Sequence, residues 1–237
     1  MARARVHEPE PKTPLTLRAL RMLRRMVLWA LALIVGLVLL FSIINPPTTH
    51  TILTDPAATH DRDWVALADI APVMARSVVA AEDANFCAHW GFDMAEIRKV
   101  IASGSSRGAS TLTQQVAKNV FLWQDRSWPR KALEAGLTPL IEATWSKRRI
   151  LEVYLNVAEF GPGIYGIDVA ARELFGTTPD RLSAVQAARL AAVLPNPKDR
   201  NAARPDTSLR RRAAQILDGA ATIAADGRDR CFRPLGN

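Results

Sequence analysis

Three stretches of this 237-residue chain combine residue types that can move a proton and hold an anion. The first runs Glu82-Asp83-Ala84-Asn85-Phe86-Cys87-Ala88-His89 and follows a run of small apolar residues at 78–81. An acid at the C-terminal end of a buried helix sits at the negative pole of the helix dipole. Partial desolvation there raises its pKa, which suits a general base working near neutrality. A solvated last turn is the competing reading of the same residues.

The second stretch is Gly108-Ala-Ser-Thr111-Leu-Thr-Gln114-Gln115-Val-Ala-Lys118-Asn119. Helical spacing places Thr111, Gln115 and Lys118 on one face and Leu112, Val116 and Val120 on the opposite one. A neutral polar row ending in a cation suits sugar hydroxyls and phosphate oxygens, although a solvated surface is also compatible with it. The third stretch is Arg130-Lys131-Ala-Leu-Glu134, followed by Ser146-Lys147-Arg148-Arg149-Ile-Leu-Glu152-Val-Tyr154-Leu-Asn156. Arg130 and Glu134 lie one turn apart. On a surface that pair contributes about 0.3–0.5 kcal/mol. Beside a diphosphate, arginine binds oxygens as a fork and a carboxylate can hold a divalent cation against them.

Other patterns exclude more than they offer. Gly161-Pro-Gly163-Ile-Tyr-Gly166 fits the dinucleotide pattern GxGxxG, which has meaning only between a strand and a helix of a βαβ unit. A helical pattern precedes it here, so the glycines are expected to make a tight turn into a helix over 167–175. His7, His50, His60 and His89 show no metal-ligand spacing. Cys87 and Cys231 make neither a zinc motif nor a CxxC pair; in an oxidising compartment they could form one long-loop disulfide, or stand as two separate small residues.

The elements that must position these groups begin with an anchor. Residues 26–44 carry no charge and, as a helix, extend ~28 Å, close to the ~30 Å apolar core of a bilayer. The basic excess of residues 1–25 is +5 of the chain's formal +8, which keeps that end in the cytoplasm and sends the remainder outside. Much of the basic character is therefore topological, and nucleic acid is not an expected partner. Residues 45–63, rich in Pro, Thr and Asp, read as a linker. Residues 64–237 are patterned as an all-α domain without convincing alternating strands. Asp69 can cap a helix with Pro72 in its first turn, and Ser110, Ser146 and Ser183 can cap three more, the last ended by Pro195. The Gly/Ser-rich segment at 103–108 should be mobile. Pro139 inside a helical run predicts a kink or break near Leu137 and Thr138.

Taken in order, EDANFCAHWGFD, GASTLTQQVAKN, RKALE, SKRRILEVYLN, GPGIYGIDVAARELFG and AARLAAVLPNPKDRN resemble the motifs of the peptidoglycan glycosyltransferases of family 51, most of all its monofunctional members. The likeness covers about 73–201. It implies an all-α, lysozyme-like, two-lobed domain at 64–237 behind a single transmembrane helix in the bacterial inner membrane, with the catalytic domain in the periplasm. It further implies polymerisation of lipid II into glycan strands, with inversion and release of undecaprenyl diphosphate. The partners implied are lipid II, the growing lipid-linked chain, the membrane and proteins of the divisome. Residue by residue, Glu82 matches the general base, with Asp83, Phe86 and His89 as its motif partners. Thr111, Gln115, Lys118 and Asn119 match donor-site positions. Arg130 and Glu134 match the group that stabilises the leaving diphosphate, with Mg²⁺ or Mn²⁺ at Glu134. Gly136 and Pro139 are unusual for the third motif.

No Ser-x-x-Lys or Lys-Thr-Gly occurs, so polymerisation without peptide cross-linking is expected. Two rival readings are a lytic transglycosylase on a related fold, which needs one buried acid and little cationic charge, and an inactive cell-wall scaffold.

Overall fold

The computed structural model describes residues 15–59, 61–104, 110–125 and 127–233. The chain divides into two compact units, Met1–Leu40 and Phe41–Asn237. Helix α1, Leu15–Phe41, supplies the first, and its stretch Leu17–Phe41 is long and apolar enough to cross a membrane. It begins well before the uncharged 26–44 segment because Arg18, Arg21, Leu23, Arg24 and Arg25 are good helix formers that extend the coil past the apolar stretch.

The second unit is helical apart from one small hairpin. A short helix α2, His50–Thr54, is capped by Thr49. Helix α3, Pro72–Glu82, follows; its N-cap is Ala71 and not Asp69, which instead closes a preceding 3-10 turn at Leu67–Asp69. Pro72 at the first helical position needs no donor there, which sets the start. Helix α4, Met94–Ser103, is capped by Asp93 and buries none of its residues. Residues 105–108 of the segment expected to be mobile lie outside the described residues.

Helix α5, Leu112–Phe121, starts one residue later than expected. Thr111 is its N-cap, with Gln114 returning the bond in a capping box. Helix α6, Trp128–Thr144, runs through Pro139 without a break. One backbone bond is forfeited, while Leu137, Thr138 and Ile141 around it are buried and the Thr138 hydroxyl donates to the Glu134 carbonyl at 2.7 Å. Tertiary packing thus overrides the local preference for interruption. Helix α7, Lys147–Val157, is capped by Ser146 as its spacing predicts.

Strands β1, Glu159–Gly161, and β2, Ile164–Tyr165, pair antiparallel. The glycine-rich segment therefore builds a hairpin before it enters helix α8, Ile167–Phe175, whose span matches the expectation. Helices α9, Ala184–Val193, and α10, Thr207–Ala225, complete the unit. Two packed groups result: α3 with α9 and α10, and α5 with α6 and α7. The all-α expectation holds, with the two-stranded hairpin as its one departure among the described residues.

Helix α7 is the fastening element. Arg149 donates to the carbonyls of Phe41 at 3.0 Å and Ile44 at 2.8 Å, and to Asn45 Oδ1 at 2.8 Å. One turn on, Glu152 accepts from Trp64 Nε1 and the Leu67 amide, and Asn156 brackets the Val65 backbone at 2.9 Å on both sides. The spacing of three and four residues puts all three on one helix face. The segment after the anchor is thus tied to the domain by polar contacts, not left as a free linker.

Cys87 and Cys231 are joined as a disulfide across 144 residues of chain. The bridge fixes the loop after α3 to the segment after α10. Phe86 and Phe232 pack at 6.3 Å between ring centres beside it, and Arg228 donates to the Ala84 carbonyl at 3.2 Å. A loop of this length removes much unfolded-state entropy, and such bridges contribute about 2–4 kcal/mol. The Cys87→Ser, Cys231→Ser double variant should melt roughly 5–15 °C lower than wild type in matched detergent. An unchanged melting temperature would show that the surrounding contacts alone hold the loop.

Candidate active site

Helix α3 buries Met74, Ala75, Ser77, Val78 and Val79, and so delivers Glu82 to its own C-terminal end in a protein-rich environment. Burial is the largest influence on Glu82 and pushes its pKa up. Opposing that are the hydrogen bond from Gln115, the charge of Arg212 on α10 and, more weakly, Lys118; neighbouring Asp83 adds to the rise. The sequence reading of an acid with raised affinity for its proton therefore has its cause in desolvation.

The residues just after Glu82 turn the other way. Asp83 is buried, with Oδ1 2.7 Å from His89 Nε2 and Oδ2 accepting the Leu112 amide at 3.0 Å. Phe86 is fully buried, edge-on to His89, with Lys147 Nζ 4.4 Å from its ring centre. The Thr111 hydroxyl donates to the Gly91 carbonyl at 2.7 Å while it caps α5. Asp83, Phe86, His89 and Thr111 thus hold the 83–93 loop against the start of α5. These contacts fix the position of Glu82, at the end of α3, relative to Gln115 on α5.

The one-face expectation for α5 consequently holds for Gln115 and Lys118 and fails for Thr111, which lies outside the helix as its cap. Gln115 Nε2 donates to Glu82 Oε2 at 2.9 Å. Lys118 is half-buried, and its pKa is lowered by burial first and then by the charges of Arg130 and Lys131. Glu134 and Glu82 both act on it in the opposite sense. One lysine therefore lies in the field of both candidate acids.

The third stretch is not a surface pair. Arg130 and Glu134 are only 8% and 3% exposed, with Nη1 2.8 Å from Oε2. Arg130 Nε also donates to the Asp125 carbonyl at 2.6 Å. Lys131 Nζ pairs with the other oxygen of Glu134 and reaches Ser110 Oγ at 3.3 Å. Sequence reasoning passed over Lys131, although three-residue spacing to Glu134 carried the signal. Both Glu134 oxygens are thus taken up by cations, and no cluster of three His, Cys, Asp or Glu groups able to hold a metal occurs among the described residues.

A cavity of about 190 Å³ is lined by Gln115, Lys118, Asn119, Tyr154, Glu159 and Tyr165, with Pro195 and Pro197 at its edge. Asn119 Oδ1 accepts from Gln124 at 3.2 Å. The Tyr165 hydroxyl donates to Asp55 Oδ2 at 2.8 Å, and burial raises the pKa of Glu159. Glu159 and Tyr165 were not expected here, because the hairpin that brings them round has no clear sequence pattern. A cavity with polar walls, a cation and a part-buried acid beside it can seat a hydroxylated, anionic substrate.

The transglycosylase family model matches residues 49–221 of the chain. Among curated proteins, the chain is 54% identical over 203 residues to the biosynthetic peptidoglycan transglycosylase of Jannaschia sp. (strain CCS1), covering 85% of each. It is 48% identical over 206 residues to the protein of that name from Stutzerimonas stutzeri (strain A1501), covering 82% of this chain and 85% of that one. Over 222 residues it is 48% identical to the namesake from Rhodospirillum centenum (strain ATCC 51521 / SW), covering 90% and 96%.

Proposed function

Because the chain belongs to the transglycosylase family, we propose that it is a membrane-anchored enzyme polymerising lipid II into peptidoglycan glycan strands. The observation that supports the mechanism is a cavity lined by Gln115 and Lys118, with Gln115 donating to Glu82 at 2.9 Å and a second acid, Glu134, paired with Arg130 and Lys131. Glu82 takes the proton from the 4-hydroxyl of the acceptor sugar. The freed oxygen attacks the donor's anomeric carbon from the face opposite the leaving group, so the configuration inverts from α to β. Undecaprenyl diphosphate departs as its charge grows against Lys118, Arg130 and Lys131. Glu134 holds Arg130 and Lys131 in place by taking one on each oxygen. No covalent enzyme intermediate is needed.

A divalent cation at Glu134 does not fit this arrangement. Its two oxygens already face two cations, so a third positive charge would have to displace one of them. Three basic side chains, Lys118, Arg130 and Lys131, supply the charge that Mg²⁺ or Mn²⁺ was expected to bring. Peptide cross-linking is not part of the reading. The basic 1–25 segment supports an N-terminus in the cytoplasm and a periplasmic catalytic domain. Partners in the divisome, which the family resemblance implies, belong to the proposal on that ground alone.

The detergent-solubilised protein incubated with lipid II should give growing glycan chains and free undecaprenyl diphosphate, with no muropeptides from polymeric peptidoglycan. Muropeptide release without chain growth would replace this reading with the lytic one.

A further inference from the structure

Tyr154 is 1% exposed on α7, and its hydroxyl meets Gln115 Oε1 at 3.1 Å. The amide nitrogen of the same Gln115 donates to Glu82 Oε2 at 2.9 Å. A glutamine amide can turn over, exchanging oxygen for nitrogen at little cost in shape. We propose that Tyr154 is a positioning residue that fixes the orientation of the Gln115 amide, so that the Glu82 carboxylate always meets an N–H and never a carbonyl oxygen. The proposal rests on Glu82 being the general base.

The argument is one of matched donors and acceptors. With the amide as it stands, the phenol O–H has an acceptor and the carboxylate has a donor. Turned over, the amide would set its oxygen against the carboxylate, a repulsive contact, and would leave the buried phenol proton without an acceptor. A buried polar group without its partner is costly, so one orientation is strongly favoured. Burial, reinforced by the negative charge of Glu82, pushes the Tyr154 hydroxyl well above its ordinary pKa. It therefore remains a proton donor throughout any working range. Helix α7 sets this geometry, because it packs on α5 and buries Ile150, Leu151, Val153 and Leu155 along with Tyr154.

The sign of the effect follows. Glu82 works as a base only when ionised, so activity rises with pH through its pKa. The groups facing it are Gln115 and Lys118 on α5, Tyr154 on α7, Arg212 on α10 and its neighbour Asp83. Loss of a reliable donor from Gln115 disfavours the ionised form and moves the acid limb of the profile to higher pH.

The test compares pH profiles of kcat/KM for lipid II polymerisation in wild type, Tyr154→Phe, Gln115→Ala and the double variant. Tyr154→Phe should shift the acid limb upward by roughly 0.5–1 pH unit, with the deficit shrinking at high pH. Gln115→Ala should shift it in the same direction, and the double variant should move no further than Gln115→Ala alone. An unmoved limb in Tyr154→Phe, or equal shifts with and without Gln115, would overturn the relay. Should Tyr154→Phe not fold, an unmoved limb in Gln115→Ala overturns it equally. Failure of the underlying reading is distinguishable, because a Glu82→Gln enzyme would then polymerise at near-wild-type rates whatever Tyr154 does.

Discussion

Glu82→Gln should lower the rate of lipid II polymerisation by about 10³-fold, within the 10²–10⁴ range that a positioned general base supplies. The substitution keeps the volume and the polar contact with Gln115 and removes only the ability to accept the proton. Its two cationic neighbours, Arg212 and Lys118, lose a counter-charge, while the contact with Gln115 that holds the side chain in place is kept. Melting temperature and membrane insertion should therefore stay close to wild type. An amide does not titrate here, so raising the pH should not restore the rate. Near-normal chain growth by this variant would remove Glu82 as the base.

Gly163→Ala should be the most damaging single change to stability, about 3–5 kcal/mol, and should lower the melting temperature by roughly 10 °C or more. Two independent causes add. The backbone of Gly163 has φ +72°, in the region that disfavours a side chain. A Cβ there would also stand 1.9 Å from the Ala57 carbonyl oxygen and 2.5 Å from its carbon, which are backbone atoms that cannot step aside alone. The Gly163 carbonyl meanwhile accepts the Thr59 amide at 3.0 Å, so any retreat of the hairpin breaks that bond as well. Gly136→Ala is the control: it lies in α6 with nothing within 4 Å of a new Cβ, and should be neutral or stabilising by up to about 1 kcal/mol. Equal melting temperatures for the two variants would refute the steric account.

The same Gly163 shows why one part of the fold could not be read in advance. Its motif had the letters of a nucleotide loop, and the physical reason for the glycine is contact with a segment more than a hundred residues earlier. Helix starts governed by local chemistry were legible: Ser146 and Ser183 cap α7 and α9, and Pro72 opens α3. Those decided between adjacent candidates were not, since Thr111 wins over Ser110 through its bond to Gly91 across the fold. The site divides likewise. Four-residue spacing pointed to Arg130 with Glu134, and three-residue spacing to Gln115 with Lys118. Whether those groups were buried depended on how α5 lies against α6 and α7. The Glu82–Gln115 contact, across 33 residues, and the place of Tyr154 behind it came only with the tertiary structure.

The bridge between Cys87 and Cys231 also sets an order of events. Translation delivers the loop beside Glu82 long before it delivers that loop's covalent partner, 144 residues downstream. A nascent domain therefore leaves the loop after its acid unfastened until all of α10 has been made, and the clasp closes only when the chain that will support it is present. The bridge's share of the domain's stability is in this way added last, after synthesis of the supporting helices and not before.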